Sequence, residues 1–276
     1  MLTAPTAGGR VWLKATAGET AHELALYRVF AAAAPDHVPT VIALDPERGW
    51  LLLRDHAPAL ADPRAPLPAA VLVRHAQLQR SVTPHAAALV TDGVPDMRPA
   101  VMPQRFAEAV DAVSRFVARH GDAVDSAVVD AVRARRAEFE GWCAALAESP
   151  VPASVDHNDL HAGNVLVGGG AVRFFDWGDA VIAHPFAVLL VPLQMAGEQG
   201  PRLQAAYLRA FADLAPMERL VADAELACRV AVIARVLTWV RAVGVDGEDL
   251  RFARAPLEAL AALLEVPPTA SGTTEG

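Results

Sequence analysis

The segment VDHNDLHAGNVLV, Val155 to Val167, gathers two aspartates, two histidines and two asparagines in a chain that is otherwise apolar and rich in alanine. Asn158 and Asn164 are the only asparagines among the 276 residues. Immediately downstream, NVLV (164–167), GGG (168–170) and AVRFF (171–175) read as strand, tight glycine turn and strand, which makes an antiparallel hairpin. Such a hairpin sets its opening and closing residues side by side, so Asn164 is expected close to Asp176 of FFDWGD. Asp159, on the preceding loop, reaches the same mouth. Two carboxylates and an amide oxygen at one end of a hairpin are hard oxygen donors of the type that Mg²⁺ prefers.

Composition excludes several classes of function. A hydrophobic fraction of 53% over this length suffices for a large core or two small domains. A net charge of −8 with a pI near 5.6 supplies no basic stripe for a phosphate backbone, so a nucleic-acid partner is not expected. No charged head followed by an apolar run opens the chain, and no apolar segment approaches the roughly 18 residues of a membrane span. The expectation is a protein of the cytoplasm without a membrane partner. Cys143 and Cys228 sit in apolar, helix-like stretches and read as buried thiols.

The chain holds 23 arginines and a single lysine, Lys14. Codon bias alone would produce the excess of arginine, but a lone lysine raises the question of what a compact ammonium does there that a planar guanidinium cannot. Lys14 lies in RVWLKA, whose alternation is that of a strand. Glu23 follows on a helix marked by Leu24, Tyr27 and Phe30, so the two can form an ion pair; surface decoration is the other reading of the same pair. Next come two apolar runs, Val38 to Leu44 and Trp50 to Leu53, around DPERG, a second hairpin. After a Pro- and Ala-rich stretch the pattern turns helical over Ala69 to Val82, Pro103 to His120 and Val124 to Ala147. It is helical again over Arg202 to Ala215, Met217 to Val243 and Leu250 to Leu264. The fold class is α+β: a small β-containing portion over 1–56, a larger helical one over 57–266, and a polar tail at 267–276 expected to be disordered.

HNDLHAGN resembles the H-x-D-x-x-x-x-N catalytic loop of the protein-kinase-like fold, and DWG stands where that fold carries its metal-binding D-F-G. With its second histidine and its tryptophan after the aspartate, the pattern is similar to the aminoglycoside phosphotransferase and choline kinase branch of small-molecule kinases. Lys14, Glu23 and GWLLLRDH follow in that branch's order, and the resemblance spans about residues 8 to 190. It implies a two-lobed fold that moves the γ-phosphate of ATP or GTP to a hydroxyl of a small molecule. Asp159 would orient the acceptor hydroxyl and take its proton, while Asn164 and Asp176 would hold Mg²⁺ on the nucleotide phosphates. Lys14 would contact those phosphates with Glu23 holding its ammonium, and main-chain groups around Leu53 to His56, Asp55 among them, would read the base. His157 and His161 would fix the loop, and Asp179 reads as an exposed loop aspartate, a supporting or acceptor contact at the site being the other reading.

Two features depart from the family pattern. Only thirteen residues precede Lys14, so AGGR (7–10) reads as the turn into the lysine strand, and the family's first strand and most of its glycine-rich phosphate cover have no counterpart. Val188 in AHPFAVLL stands where many relatives carry an aspartate. Other readings are a kinase-fold protein that binds nucleotide or metabolite without transfer, and a Zn²⁺ hydrolase built on His157, Asp159 and His161 as H-x-D-x-H. The acidic net charge would suit a cationic acceptor, although bulk charge says little about one pocket. Glu198, Asp223 and Glu225 read as a solvated face.

Overall fold

Alternation in WLLLR decides the first layer: Leu51 and Leu53 are buried while Trp50 and Arg54 face outward. The computed structural model, which describes residues 1–16, 18–56, 58–120, 126–243 and 254–265, places this segment in a four-stranded antiparallel sheet. Its strands are β1 (Leu2–Thr6), β2 (Gly9–Ala15), β3 (Val41–Asp45) and β4 (Trp50–Arg54), in the order β1-β2-β4-β3. Helix α1 (Glu23–Ala33) lies between β2 and β3 in sequence and brings Leu26, Tyr27 and Phe30 into the same core as Leu51 and Leu53. It stops at Ala34, before Pro35, where a proline disfavours helical backbone in its predecessor. Ala7 and Gly8 form the turn into the lysine strand, as AGGR suggested. One strand, β1, precedes it; the sequence pattern did not reveal β1 because every residue is exposed and Pro5 interrupts it. Proline is tolerated there because β1 is an edge strand.

The rest is mainly helical: α2 (Ala69–Val82), α3 (Ala86–Thr91), α4 (Met102–His120), α5 (Ala127–Ala134), α6 (Arg136–Ala147), α7 (Leu190–Ala196), α8 (Gly200–Leu208), α9 (Met217–Val243) and α10 (Ala255–Ala261). The single helix expected over Val124 to Ala147 is two in its described part, broken at Arg135: both pieces pack on α4, but α5 also packs on α10 and α6 on α9. The polar tail at 267–276 and the start of the helix expected at Leu250 lie outside the described residues. Among those described, no helix is long and apolar enough to cross a membrane. Both cysteines are buried and unbridged, and burial pushes each thiol up to about 12. Asp223 is not on a solvated face: it is 1% exposed and accepts from Arg219 Nε at 2.7 Å and Ser149 Oγ at 2.6 Å.

Between the helices run two short ladders that set up the 155–180 region. β5 (Ser154–Asp156) pairs with β8 (Val181–Ala183), and β6 (Val165–Gly168) pairs with β7 (Ala171–Phe174), the hairpin read from the sequence. Gln79 of α2 anchors the first of these from below: its amide donates to Val155 O (2.8 Å) and Pro185 O (2.9 Å) and accepts from the Tyr207 hydroxyl (2.5 Å). With every amide group satisfied, this buried glutamine fixes the chain's path without an unpaired polar atom.

The β3–β4 turn closes on the end of the lysine strand, because Gly49 O accepts from Thr16 N at 2.7 Å. Gly49 has φ +67°, and a Cβ there would stand 2.2 Å from Thr16 O. Gly49→Ala should therefore lose at least the ~1–2 kcal/mol of a left-handed non-glycine residue, read as a lower midpoint in denaturant. An unchanged midpoint would mean that the turn relaxes freely.

Candidate functional site

Two registers bracket the site. Asp156 opposite Val181 makes the chain leave and re-enter one ladder side by side, while Val165 opposite Phe174 closes the other end, where Phe175 N donates to Asn164 O at 3.2 Å. The loop 157–164 and the turn 175–180 are thus clamped against each other. Each carries a non-glycine residue with positive φ, Asn158 at 59° and Asp176 at 63°. Asparagine and aspartate tolerate that region better than other residues, and such strain persists only where surroundings enforce it.

The surroundings of Asn158 are dense. Its N–H donates to Asp156 Oδ1 (2.9 Å), its amide to Asp179 O (3.1 Å) and Thr238 Oγ1 (3.0 Å), and its carbonyl accepts from Arg235 Nη1. That same Nη1 lies 3.1 Å from Asp159 Oδ1. Asp159 Oδ2 is 3.4 Å from His161 Nε2, and since His161 Nδ1 accepts Gly163 N–H at 3.0 Å, the imidazole proton is on the nitrogen facing Asp159. Asn164 donates its amide to Asp159 O (3.0 Å) and more loosely to Asp159 Oδ2 (3.4 Å). His157 is fully buried, donates from Nε2 to Phe175 O at 3.0 Å and packs on Trp177 at 4.5 Å. Burial lowers its pKa and keeps it neutral.

Lys14 and Glu23 are brought together as an ion pair, at 2.8 and 2.7 Å, and the pair is not surface decoration, because the Glu23 side chain is fully buried. Lys14 also reaches Asp176 Oδ1 at 2.6 Å. Burial alone would lower the lysine pKa, but the two carboxylates outweigh it and the pKa is raised, so the ammonium stays charged. Glu23 Oε1 additionally accepts Trp177 N–H at 3.0 Å, tying α1 to the turn.

Lys14 and Trp12, on one face of β2, line a cavity of about 240 Å³. Leu53 to His56 run along its edge, with Leu166 and Phe175 on the other wall. Within the edge, Asp55 N–H is committed to Arg10 O (3.0 Å) and the Asp55 carboxylate lies 3.8 Å from Arg10 Nε. A larger hollow of about 460 Å³, between Trp142, Leu193 and Arg229, includes none of these groups.

Asn164 and Asp176 suit a hard cation on one specific ground. The Asn164 amide nitrogen is committed to Asp159, so its oxygen is the end left for a ligand, and Asp176 is half exposed with Oδ2 outside the lysine contact. Mg²⁺ held by one or two protein oxygens completes its shell with water and substrate phosphate. The H-x-D-x-H zinc reading is not supported: no three His, Cys, Asp or Glu stand together as a metal group among the described residues.

Three residues at the site escaped the sequence reading: Trp12, Arg235 and Arg241. Arg241 bears on the reading of Asp179: its guanidinium binds Asp179 Oδ1, so the aspartate, one third exposed, is engaged at the site rather than a free loop residue. No spacing signal marks either arginine, since α9 also carries Arg219 and Arg229.

A lysine gripped by a helix glutamate, facing a turn aspartate beside an H-x-D-x-x-x-x-N loop, defines a phosphotransferase of the protein-kinase-like fold. The chain belongs to the phosphotransferase enzyme family, whose model matches residues 10–220, and it is a small-molecule phosphotransferase. No curated protein sequence matches it. Its structure is similar to an ethanolamine kinase of Plasmodium vivax, with TM-score 0.66, 14% identity and coverage of 93% of this chain and 75% of that one. It is similar to the choline kinase of Cryptosporidium parvum, with TM-score 0.63, 14% identity and coverage of 93% and 81%. The GDP complex of wild-type aminoglycoside 2'-phosphotransferase-IIIa gives TM-score 0.55, 15% identity and coverage of 88% and 80%.

Asp156 generates a pH prediction. It is 1% exposed, and burial pushes its carboxyl up to about 7 despite Asn158 N–H and Arg235. The folded state then holds the proton more tightly than the unfolded chain, so stability falls as pH rises from about 4 and levels off above about 7. Relative to Asp156→Asn, which keeps the acceptor for Asn158 N–H, the wild type should lose on the order of 4 kcal/mol across that window. A pH-independent difference in denaturant midpoints would show that Asp156 does not titrate there.

Proposed function

We propose that the enzyme transfers the γ-phosphate of ATP or GTP to a hydroxyl of a small molecule, with Mg²⁺ as cofactor. The observation that supports this best is the Lys14 ammonium, held by Glu23 and Asp176 at the inner end of an apolar slot. The purine would enter that slot between Trp12 and the Leu166 and Phe175 wall, its edge along Leu53 to Asp55, and the phosphates would point at Lys14. Asn164 and Asp176 would hold Mg²⁺, which when bound neutralises phosphate charge. Asp159 would orient the acceptor hydroxyl and accept its proton, and His161 would hold the carboxylate from the other side. Residues 1–56 and 57–266 would act as two lobes with the slot at their junction, and the demand for nucleotide fits a cytoplasmic setting. The amine-bearing compounds named for similar structures, choline, ethanolamine and aminoglycosides, are candidate acceptors by fold likeness only.

A thermal shift of wild type and Asp176→Ala with Mg²⁺ and ATP or GTP tests the site without knowledge of the acceptor. A nucleotide at a hundredfold excess over Kd should stabilise the wild type by about 2.7 kcal/mol, and the shift should need Mg²⁺ and vanish in the variant. No shift with either nucleotide would remove the nucleotide from the proposal. Asp159→Asn should keep the shift while transfer falls about a hundredfold or more; equal turnover would take Asp159 out of the mechanism. Lys14→Arg should impair transfer although the charge is kept, and unchanged kcat and KM would mean that a point charge is not required.

A further inference from the structure

Arg235 projects from α9 onto the Asp159 side of the cleft, and its hydrogen bonding is lopsided. Nη1 serves both Asp159 Oδ1 and Asn158 O, while Nε and Nη2 have no partner among the described residues. Neither of those two atoms is among the buried polar atoms left without a partner, so both remain open to solvent. Nε and Nη2 form one edge of the guanidinium, the fork that binds a carboxylate or phosphate through two parallel N–H donors. The Arg235 guanidinium carbon also lies over the Trp239 ring, 5.8 Å from its centroid, a cation–π contact made by the face of the guanidinium rather than by its N–H groups.

The same contacts leave little for an ammonium. Among the described residues, the carboxylates on this side already have a guanidinium: Asp159 has Arg235 and Asp179 has Arg241. Trp239, a natural seat for a quaternary ammonium, already has the Arg235 guanidinium carbon 5.8 Å from its ring centroid. An ammonium close to the reacting hydroxyl would therefore meet a positive charge within contact distance and, among the described residues, no carboxylate without a cation of its own.

We propose that the acceptor is a hydroxyl compound carrying an anionic oxygen group, carboxylate or phosphate, that docks on the Nε and Nη2 edge of Arg235 while its hydroxyl meets Asp159. This rests on the reading of Asp159 as the acceptor-orienting residue. Arg235 is then a specificity residue and, through Nη1, a positioning residue for Asp159. The bulk negative charge of the chain is no guide here, since the local field at Asp159 is set by the nearest guanidinium.

The full-length enzyme with Mg²⁺ and ATP or GTP would be assayed for nucleoside diphosphate release and phosphorylated product. The acceptors would be hydroxy acids (glycerate, gluconate), a phosphate ester with free hydroxyls (glycerol 3-phosphate) and ammonium alcohols (ethanolamine, choline, kanamycin). At least one anionic acceptor should exceed every ammonium alcohol tenfold or more in kcat/KM, and the two anionic groups separate carboxylate from phosphate. Arg235→Gln should raise KM for that acceptor at least tenfold with the nucleotide-induced thermal shift unchanged, and Arg235→Lys, which lacks the fork, should not restore it. Preference for an ammonium alcohol, or no turnover of any anionic acceptor by an enzyme that nucleotide stabilises, would overturn the proposal. Absence of any nucleotide shift in the wild type would instead overturn the phosphotransfer reading, and this proposal with it.

Discussion

Lys14 joins three separate pieces of chain through one ammonium: strand β2 that bears it, helix α1 through Glu23, and the 175–180 turn through Asp176. Glu23 extends the tie to Trp177 N–H, so sheet, helix and turn share a single polar knot. Its members are largely or fully buried except Asp176, and removal of one partner of a buried pair leaves an uncompensated charge that costs about 3–5 kcal/mol. The knot contains two carboxylates and one ammonium. The surplus negative charge is on the half-exposed Asp176, the one member open to an incoming cation.

Packing keeps this knot in place. Trp177 is fully buried, with Phe30 of α1 at 4.6 Å, His157 at 4.5 Å and His75 stacked at 6.0 Å. His75 is fully buried and burial holds its pKa down at about 3, so it serves as a neutral aromatic filler. His184 is also kept neutral by burial, at about 4, yet it is fully engaged: Nδ1 accepts Phe186 N–H and Nε2 donates to Ser149 Oγ. Among the described histidines, only His161 touches the carboxylate of Asp159.

Much of this arrangement was legible because it depends on local spacing. The hairpin over 164–175 follows from a glycine turn between two apolar runs, and once it forms, Asn164 and the residues after Phe174 must meet. The Lys14 and Glu23 pair follows from a strand leading into a helix. What was not legible arises from tertiary packing. β1 has no buried residue to create an alternating pattern, and the break at Arg135 comes from the partners of α5 and α6. Arg235 is hidden for a related reason: α9 is buried on most sides, so periodicity assigns no face, and one arginine among 23 does not stand out. Asp223 was misread because Arg219 and Ser149, which allow it to be buried, come from its own helix and from the end of α6.

The lone lysine has a geometric explanation. Two pairs of one cation with one carboxylate show what the planar fork does well: Arg80 meets both oxygens of Asp213 at 2.9 and 2.7 Å, and Arg98 meets both oxygens of Asp96 at 2.9 and 2.6 Å. At position 14 the carboxylates come from different elements, Glu23 from α1 and Asp176 from the turn, and converge on one point. A tetrahedral ammonium with three rotatable donors can serve both at once and still direct a donor outward, whereas a guanidinium would fix its donors in one plane. Codon usage can convert every interchangeable lysine to arginine, but it cannot do so where donors must leave one atom in several directions. Position 14 is such a place, which accounts for a lysine there in a chain that otherwise uses only arginine.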